Sequence, residues 1–141
     1  MTSAIEPISC AATAPPGGHY SAAAAYGDLV FISGQLPVAP DGSHLADQAF
    51  DIQARQALEN LLAVAAAAGS GPDGLLKVTA YIVGVENWPH FNRVYADMLG
   101  DHRPARAVVP VPELHHGYLI EVEAVAIMRE KRIVLPDRTI E

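Results

Sequence analysis

The stretch Tyr118–Met128, "YLIEVEAVAIM", decides the fold. Glu121 and Glu123 fall on one face of it, with Val122 and Ala124 on the other, the period-two pattern of a strand with one apolar side. Working back from it, "PELHHG" turns the chain. Before that turn, Ala105–Val111 ("ARAVVPV") reads as a further strand. Pro110 has no N–H to donate, which places it at an edge, a bulge or a strand end. Upstream, Trp88, Phe91, Val94, Tyr95 and Met98 line one side of a helix over Trp88–Leu99 that Gly100 stops. Leu76–Val83 ("LKVTAYIV") is rich in β-branched and aromatic residues and reads as a strand. From Asp47 to Ala68 the apolar positions Ala54, Leu58, Leu61, Leu62 and Ala65 share a helix face, with Gly69 at the site of a C-terminal glycine cap. "SGQLPVAPDGS" is a long loop with a turn at "PDG". Tyr20–Ala25 and Leu29–Ser33 read as paired strands around "YGD". A short strand is expected near Ile5–Ile8 within an otherwise irregular lead-in over residues 1–18. The polar tail ends without an evident element. The order is strands, helix, strand, helix, strands. It predicts a single α/β domain over residues 1–141, one mixed sheet with both helices packed on one face. The bare face then needs cover.

The bulk numbers agree with that need. Of 141 residues, 50% are hydrophobic and 18% charged, with mean hydropathy +0.17. A small domain this apolar often hides surface between subunits. A net charge of −7 disfavours nucleic-acid binding. The single cysteine, Cys10, rules out an internal disulfide and a cysteine-built metal site, and fits a reducing cytoplasm. The first residues lack the basic n-region of a signal peptide, and the alanine-rich run Leu62–Ala68 is too short to span a bilayer. No membrane association is expected.

Three features could carry chemistry. Arg106 lies among small and apolar neighbours, and its fork of donors matches a carboxylate bidentately. A surface arginine with an ordinary partner is the plainer alternative. Glu121 and Glu123 could do acid–base work, or form the solvated face of a strand. If Ala105–Val111 and Tyr118–Met128 pair as a hairpin, Arg106 and Glu121 could meet across it. The six histidines are scattered and show no metal-ligand spacing. His115 and His116 sit in a turn, where neighbouring side chains are expected to diverge. No phosphate-binding glycine loop and no G-x-S-x-G elbow is present.

Taken in order, "HYSAAAAYGDLVFISGQLPV", "ARQALENLLAVAAAAG", "KVTAYI", "FNRVYADMLG", "RPARAVVPV" and "IEVEAVA" resemble the RidA/YjgF family of reactive-intermediate deaminases, also labelled endoribonuclease L-PSP. The resemblance runs from about Gly18 to Ala126. It implies a chorismate-mutase-like fold and a homotrimer with three clefts between subunits. It also implies a cofactor-independent hydrolase that turns small enamines and imines, 2-aminoacrylate and 2-iminopropanoate among them, into 2-oxo acids and ammonia. By motif, Arg106 matches the arginine that grips the substrate carboxylate and Glu121 the acid that helps hold the attacking water. Tyr20, Ser33, Gly34, Asn92 and Val108 match cleft-lining positions. Arg106 and a neighbour's Tyr20 would build one site from two chains.

This chain departs from the family pattern at Gly18-His19-Tyr20, where Gly-Pro-Tyr is usual. Val108 replaces a frequent cysteine, and Pro110, Pro112 and "HHG" replace a run ending in Arg-Leu-Pro. His19 or His115 could add a polar contact to the cleft. Two further functions stay open at this point. One is a non-catalytic binder or sensor of small carboxylates, which would need Arg106 but no placed water. The other is an endoribonuclease, against which the acidic charge and the lack of a basic stripe argue.

Overall fold

The computed structural model describes residues 4–129. The elements are β1 (Glu6–Ile8), β2 (Ala23–Tyr26), β3 (Leu29–Gln35), α1 (Phe50–Ala67), β4 (Leu75–Val83), α2 (Trp88–Leu99), β5 (Ala105–Val111) and β6 (Ile120–Ile127). They build a six-stranded mixed sheet in the order β1-β2-β3-β6-β4-β5. The polar tail lies outside the described residues.

Local chemistry accounts for the boundaries. Gly27, at φ +60°, turns β2 into β3, with Tyr26 opposite Leu29. The strand before that turn is shorter than its sequence suggested, and Tyr20 lies outside it, 53% exposed. At the end of α1, Gly69 adopts φ +82°, Ser70 N–H donates to Ala65 O and Gly69 N–H to Ala66 O. This is the paired closure that a left-handed glycine permits. Pro89 sits in the first turn of α2, where its missing N–H costs nothing, and Gly100 follows the last residue at φ +62°.

Alternation sorts the sheet into two faces. Val30 and Ile32 on β3, Val78, Ala80 and Ile82 on β4, and Ile120, Val122, Ala124 and Ala126 on β6 are buried. They join Ala54, Ala57, Leu58, Leu61, Val64 and Ala65 of α1 and Phe91, Val94, Tyr95 and Leu99 of α2 in one core. Both helices therefore cover the same face, as the element order predicts. Each large aliphatic side chain buried there contributes about 1.5–3 kcal/mol. The other face keeps Tyr26, Phe31 and Val109 exposed, at 51%, 50% and 38%.

The hairpin that would join Arg106 to Glu121 does not form. β5 pairs in parallel with β4 alone, Arg106 opposite Val78, whereas β6 lies between β3 and β4. The α2 crossover carries the chain from β4 to the parallel edge strand β5, and the turn after β5 returns β6 past it to the sheet centre. β5 is thus an edge, which is where Pro110 belongs.

Two buried amides fix the loop between β3 and α1. Gln53, fully buried, donates to Ala46 O and Gln48 O at 3.2 and 2.9 Å, and its Oε1 accepts from Leu119 N–H at 2.9 Å. Asn60 Nδ2 donates to Leu36 O and Val38 O at 3.1 and 2.9 Å. Together they tie the loop to the entry of β6, and so hold in place what the loop carries.

Candidate functional site

Arg106 leaves β5 on the helix-covered side, because its register partner Val78 points into the core. The residue is exposed and its guanidinium rests on two rings of α2, 5.5 Å from the centre of Phe91 and 5.1 Å from that of Tyr95. Stacking on aromatic faces suits a guanidinium and leaves its outer N–H groups free. Among the described residues no carboxylate pairs with it. Asn92 is exposed on the same helix, next to Phe91, and Val108 follows Arg106 on the same side of β5, opposite Ala80.

Phe91 and Tyr95 were legible in the sequence only as core residues. Their i, i+4 spacing is also that of a shelf one side chain can lie across. The Tyr95 hydroxyl is buried without a hydrogen-bond partner. Burial pushes its pKa up, while Arg106 pulls it the other way.

Glu121 lies on the opposite face, level with Tyr81 of β4. Beside it the β3–β6 ladder slips between Ile32 and Gln35, so that Ser33 and Gly34 form an irregularity. Gly34 is small for a reason. A Cβ there would stand 3.0 Å from Glu121 Oε1 and 3.1 Å from its carboxyl carbon. Ser33 turns away and donates to Ser21 O at 2.6 Å. Glu121 is half-buried, and its pKa is raised, first by burial and then by the like charge of Glu123, with His115 acting against both. Glu123 accepts from the Tyr81 hydroxyl at 2.6 Å.

The floor around Gly34 opens into a cavity of about 520 Å³ that also touches Tyr20, Gly17 and Gly18. Its far wall carries His44, His115 and His116. The expected divergence of the two adjacent histidines is wrong, since their ring centres lie 3.8 Å apart. His116 takes a left-handed backbone, φ 59° and ψ 15°, which swings its ring back over its neighbour. That conformation costs a non-glycine residue roughly 1–2 kcal/mol. His44 comes from the loop between β3 and α1, where Asp41 caps a tight turn by accepting from the Ser43 N–H and hydroxyl. Its ring is 4.7 Å from that of His116, and Nδ1 is hydrogen-bonded to the buried Tyr118 hydroxyl. Among the described residues no group of His, Cys, Asp or Glu is arranged to hold a metal ion, and no helix is long and apolar enough to cross a membrane.

The seven residues singled out from the sequence thus divide into two groups. Arg106, Val108 and Asn92 belong to the β5 edge and α2, whereas Glu121, Gly34, Ser33 and Tyr20 surround the slip between β3 and β6. The first group faces one side of the sheet and Glu121 the other.

The family description "Endoribonuclease L-PSP" matches residues 11–128. The RutC family protein PH0854 of Pyrococcus horikoshii is 39% identical over 111 residues, 79% of this chain and 88% of that protein. The Escherichia coli protein named "Putative reactive intermediate deaminase TdcF" is 34% identical over 113 residues, 78% of this chain and 87% of its own. A crystal structure of TdcF with bound serine superposes with a TM-score of 0.81 at 31% identity, covering 86% of this chain and 98% of that one. The crystal structure of the yeast protein YEO7 superposes at 0.86 with 32% identity, covering 89% and 100%.

Proposed function

This chain belongs to the endoribonuclease L-PSP family, the RidA/YjgF family, and from that premise we propose that it hydrolyses small imines and enamines of 2-amino acids to 2-oxo acids and ammonia. The site is completed between copies of the chain in a homotrimer. One copy supplies Arg106, Val108 and Asn92. The next supplies Glu121, Gly34, Ser33 and Tyr20.

The observation that carries this reading is the guanidinium of Arg106, exposed, unpaired with any carboxylate among the described residues and held on two aromatic rings at an edge strand of the sheet. Such a group is ready for an anion that the described residues do not provide. A 2-imino acid offers a planar carboxylate to it. The exposed apolar face, with Tyr26 and Phe31 over one side of the sheet and Val109 near the edge, gives the copies something to bury. Serine bound to TdcF is a small 2-amino acid of the size such a cleft takes.

The chemistry asks little of the protein. An iminium carbon is already electrophilic, so positioning and proton handling suffice. Arg106 fixes the carboxylate. Glu121, whose raised pKa makes it a stronger base than an ordinary carboxylate, takes a proton from a water as that water adds to the C=N carbon. It then returns the proton to nitrogen, and as the C–N bond breaks the carbinolamine hydroxyl gives its remaining proton to the departing ammonia, so that ammonium and the 2-oxo acid are released. No cofactor enters this scheme.

The test generates 2-aminoacrylate with a serine dehydratase and follows pyruvate formation. The protein accelerates release above the spontaneous rate, and Arg106→Ala brings it back to that rate. Wild type no faster than buffer, or Arg106→Ala equal to wild type, rejects the proposal. If Glu121→Gln holds a 2-oxo acid as wild type does and neither form turns over, the chain is a carboxylate binder.

A further inference from the structure

The cavity behind Gly34 is much larger than the substituent of 2-aminoacrylate requires, and imine hydrolysis at Arg106 and Glu121 does not use its far wall. That wall is built from segments distant in sequence, Tyr118 lying 74 residues beyond His44. The contacts that fix it are specific. The Tyr118 hydroxyl fixes one nitrogen of His44, which leaves Nε2 free. The imidazole rings of His115 and His116 make no hydrogen bond to other described residues, the His115 carbonyl alone accepting from Tyr118 N–H. A left-handed backbone is spent on keeping the His116 ring against both neighbours, at 3.8 and 4.7 Å. The rings thus gather unpaired imidazole nitrogens at one spot. Among the described residues no lysine, arginine, aspartate or glutamate lines the cavity, so these three imidazoles are the side chains there that can carry positive charge to an anion, beside neutral donors such as Thr13 and Tyr20.

We propose that His44, His115 and His116 form a subsite for a second carboxylate, carried on the substrate's side chain, so that the preferred substrates are imines of dicarboxylic amino acids. This rests on the function proposed above. The cavity reaches Gly34, beside which the Glu121 carboxylate stands just outside the lining, and His115 is near enough to act on that carboxylate. A substrate with its C=N carbon at Glu121 would direct its side chain past Tyr20 toward the imidazoles. Packed imidazoles repel one another when protonated, and the pKa of His116 is held down by burial first and then by His115 and His44. A carboxylate among them offsets that repulsion and accepts from their N–H groups.

Binding separates this proposal from the turnover on which it rests. Isothermal titration compares 2-oxoglutarate with 2-oxopentanoate, an acid of the same chain length lacking the second carboxylate. Wild type is expected to bind 2-oxoglutarate about tenfold more tightly, the gain of one charge-assisted hydrogen bond net of desolvation. His116→Gly, which relieves the backbone and so does not threaten the fold, and His115→Gln each reduce that preference to threefold or less and leave 2-oxopentanoate within twofold. Equal affinity for the two acids, tighter binding of 2-oxopentanoate, binding of neither, or a preference that survives both substitutions overturns the subsite. If 2-iminopropanoate is turned over while no dicarboxylate preference exists, the subsite alone fails. If the preference exists while no imine is turned over, the hydrolytic reading fails and the subsite stands.

Discussion

Arg106 and Glu121 are charged residues on one sheet, and their surroundings treat them in opposite ways. Arg106 sits at the edge of β5, exposed, with its charge spread over the rings of Phe91 and Tyr95. Glu121 sits on a central strand, half-buried beside Glu123, in a gap that a Cβ at position 34 would crowd. The cation is left exposed and available. The acid is kept reluctant to ionise. On the proposed function, a group that holds a carboxylate gains from the first environment, and a group that takes a proton from water gains from the second. The sheet separates them by face, which is why the proposed site draws on two chains.

The sharpest way to break this comparison is subunit exchange. Arg106→Ala is expected to lower kcat/KM by roughly 10²–10⁴, the loss of two charge-assisted hydrogen bonds at 1.5–3 kcal/mol each. Its melting temperature should stay close to that of wild type, because the guanidinium is exposed. Glu121→Gln is expected to cost about 10²-fold or more in kcat with little change in 2-oxo acid affinity. Unfolding the two inactive variants together and refolding them at equal concentration mixes the subunits. Sites drawing Arg106 from one chain and Glu121 from the next are then regenerated at about one in four of the interfaces. Mixtures no more active than the separate variants would show that each chain builds its own site.

How much of this was legible beforehand follows from which interactions are local. The helices over residues 50–67 and 88–99, and the alternation along β6, stand where the periodicity of the sequence puts them. Pro110 on an edge strand follows from its missing N–H. The neighbour of β6 was not legible. The alternation of Glu121 with Val122 satisfies a hairpin with β5 and a central place between β3 and β4 equally well. The choice is made by α2, which turns β4 and β5 into a parallel pair. The aromatic shelf was hidden because Phe91 and Tyr95 already had a sufficient role in the core. The histidine wall was hidden because it depends on one left-handed residue, His116, and on a pairing across the fold.

A smaller effect sharpens the acid side. The pKa of Glu121 in the native chain lies above its ordinary value of 4.5, through burial first and Glu123 second. Between those two values the native chain holds more protons than the unfolded one. Stability attributable to Glu121 is therefore greatest below the window and falls as pH rises through it. Turnover runs the other way, because the ionised carboxylate takes the water's proton. The acid limb of kcat should lie above 4.5. It should vanish in Glu121→Gln and move down in Glu123→Gln, which removes the like charge. The same Glu121→Gln change should raise stability relative to wild type above the window. A limb unmoved by Glu123→Gln would mean that another group titrates.

The smallest effect belongs to the shelf under Arg106, and it separates two roles that Tyr95 combines. Its ring supports the guanidinium at 5.1 Å, while its hydroxyl is buried and unpartnered. Tyr95→Phe keeps the ring and removes the lone polar atom, so affinity for 2-oxo acids should hold and stability should stay level or rise. Tyr95→Leu keeps a buried apolar side chain but removes the π-face, worth about 0.5–1 kcal/mol to an exposed cation, or roughly a two- to fivefold loss of affinity. That loss should appear in KM more than in kcat, because a guanidinium freed from its shelf must be ordered again when the carboxylate arrives. Equal affinities in the leucine and phenylalanine variants, by titration with 2-oxopentanoate, would show that the backbone of β5 aims Arg106 by itself. The rings of α2 would then be core and nothing more.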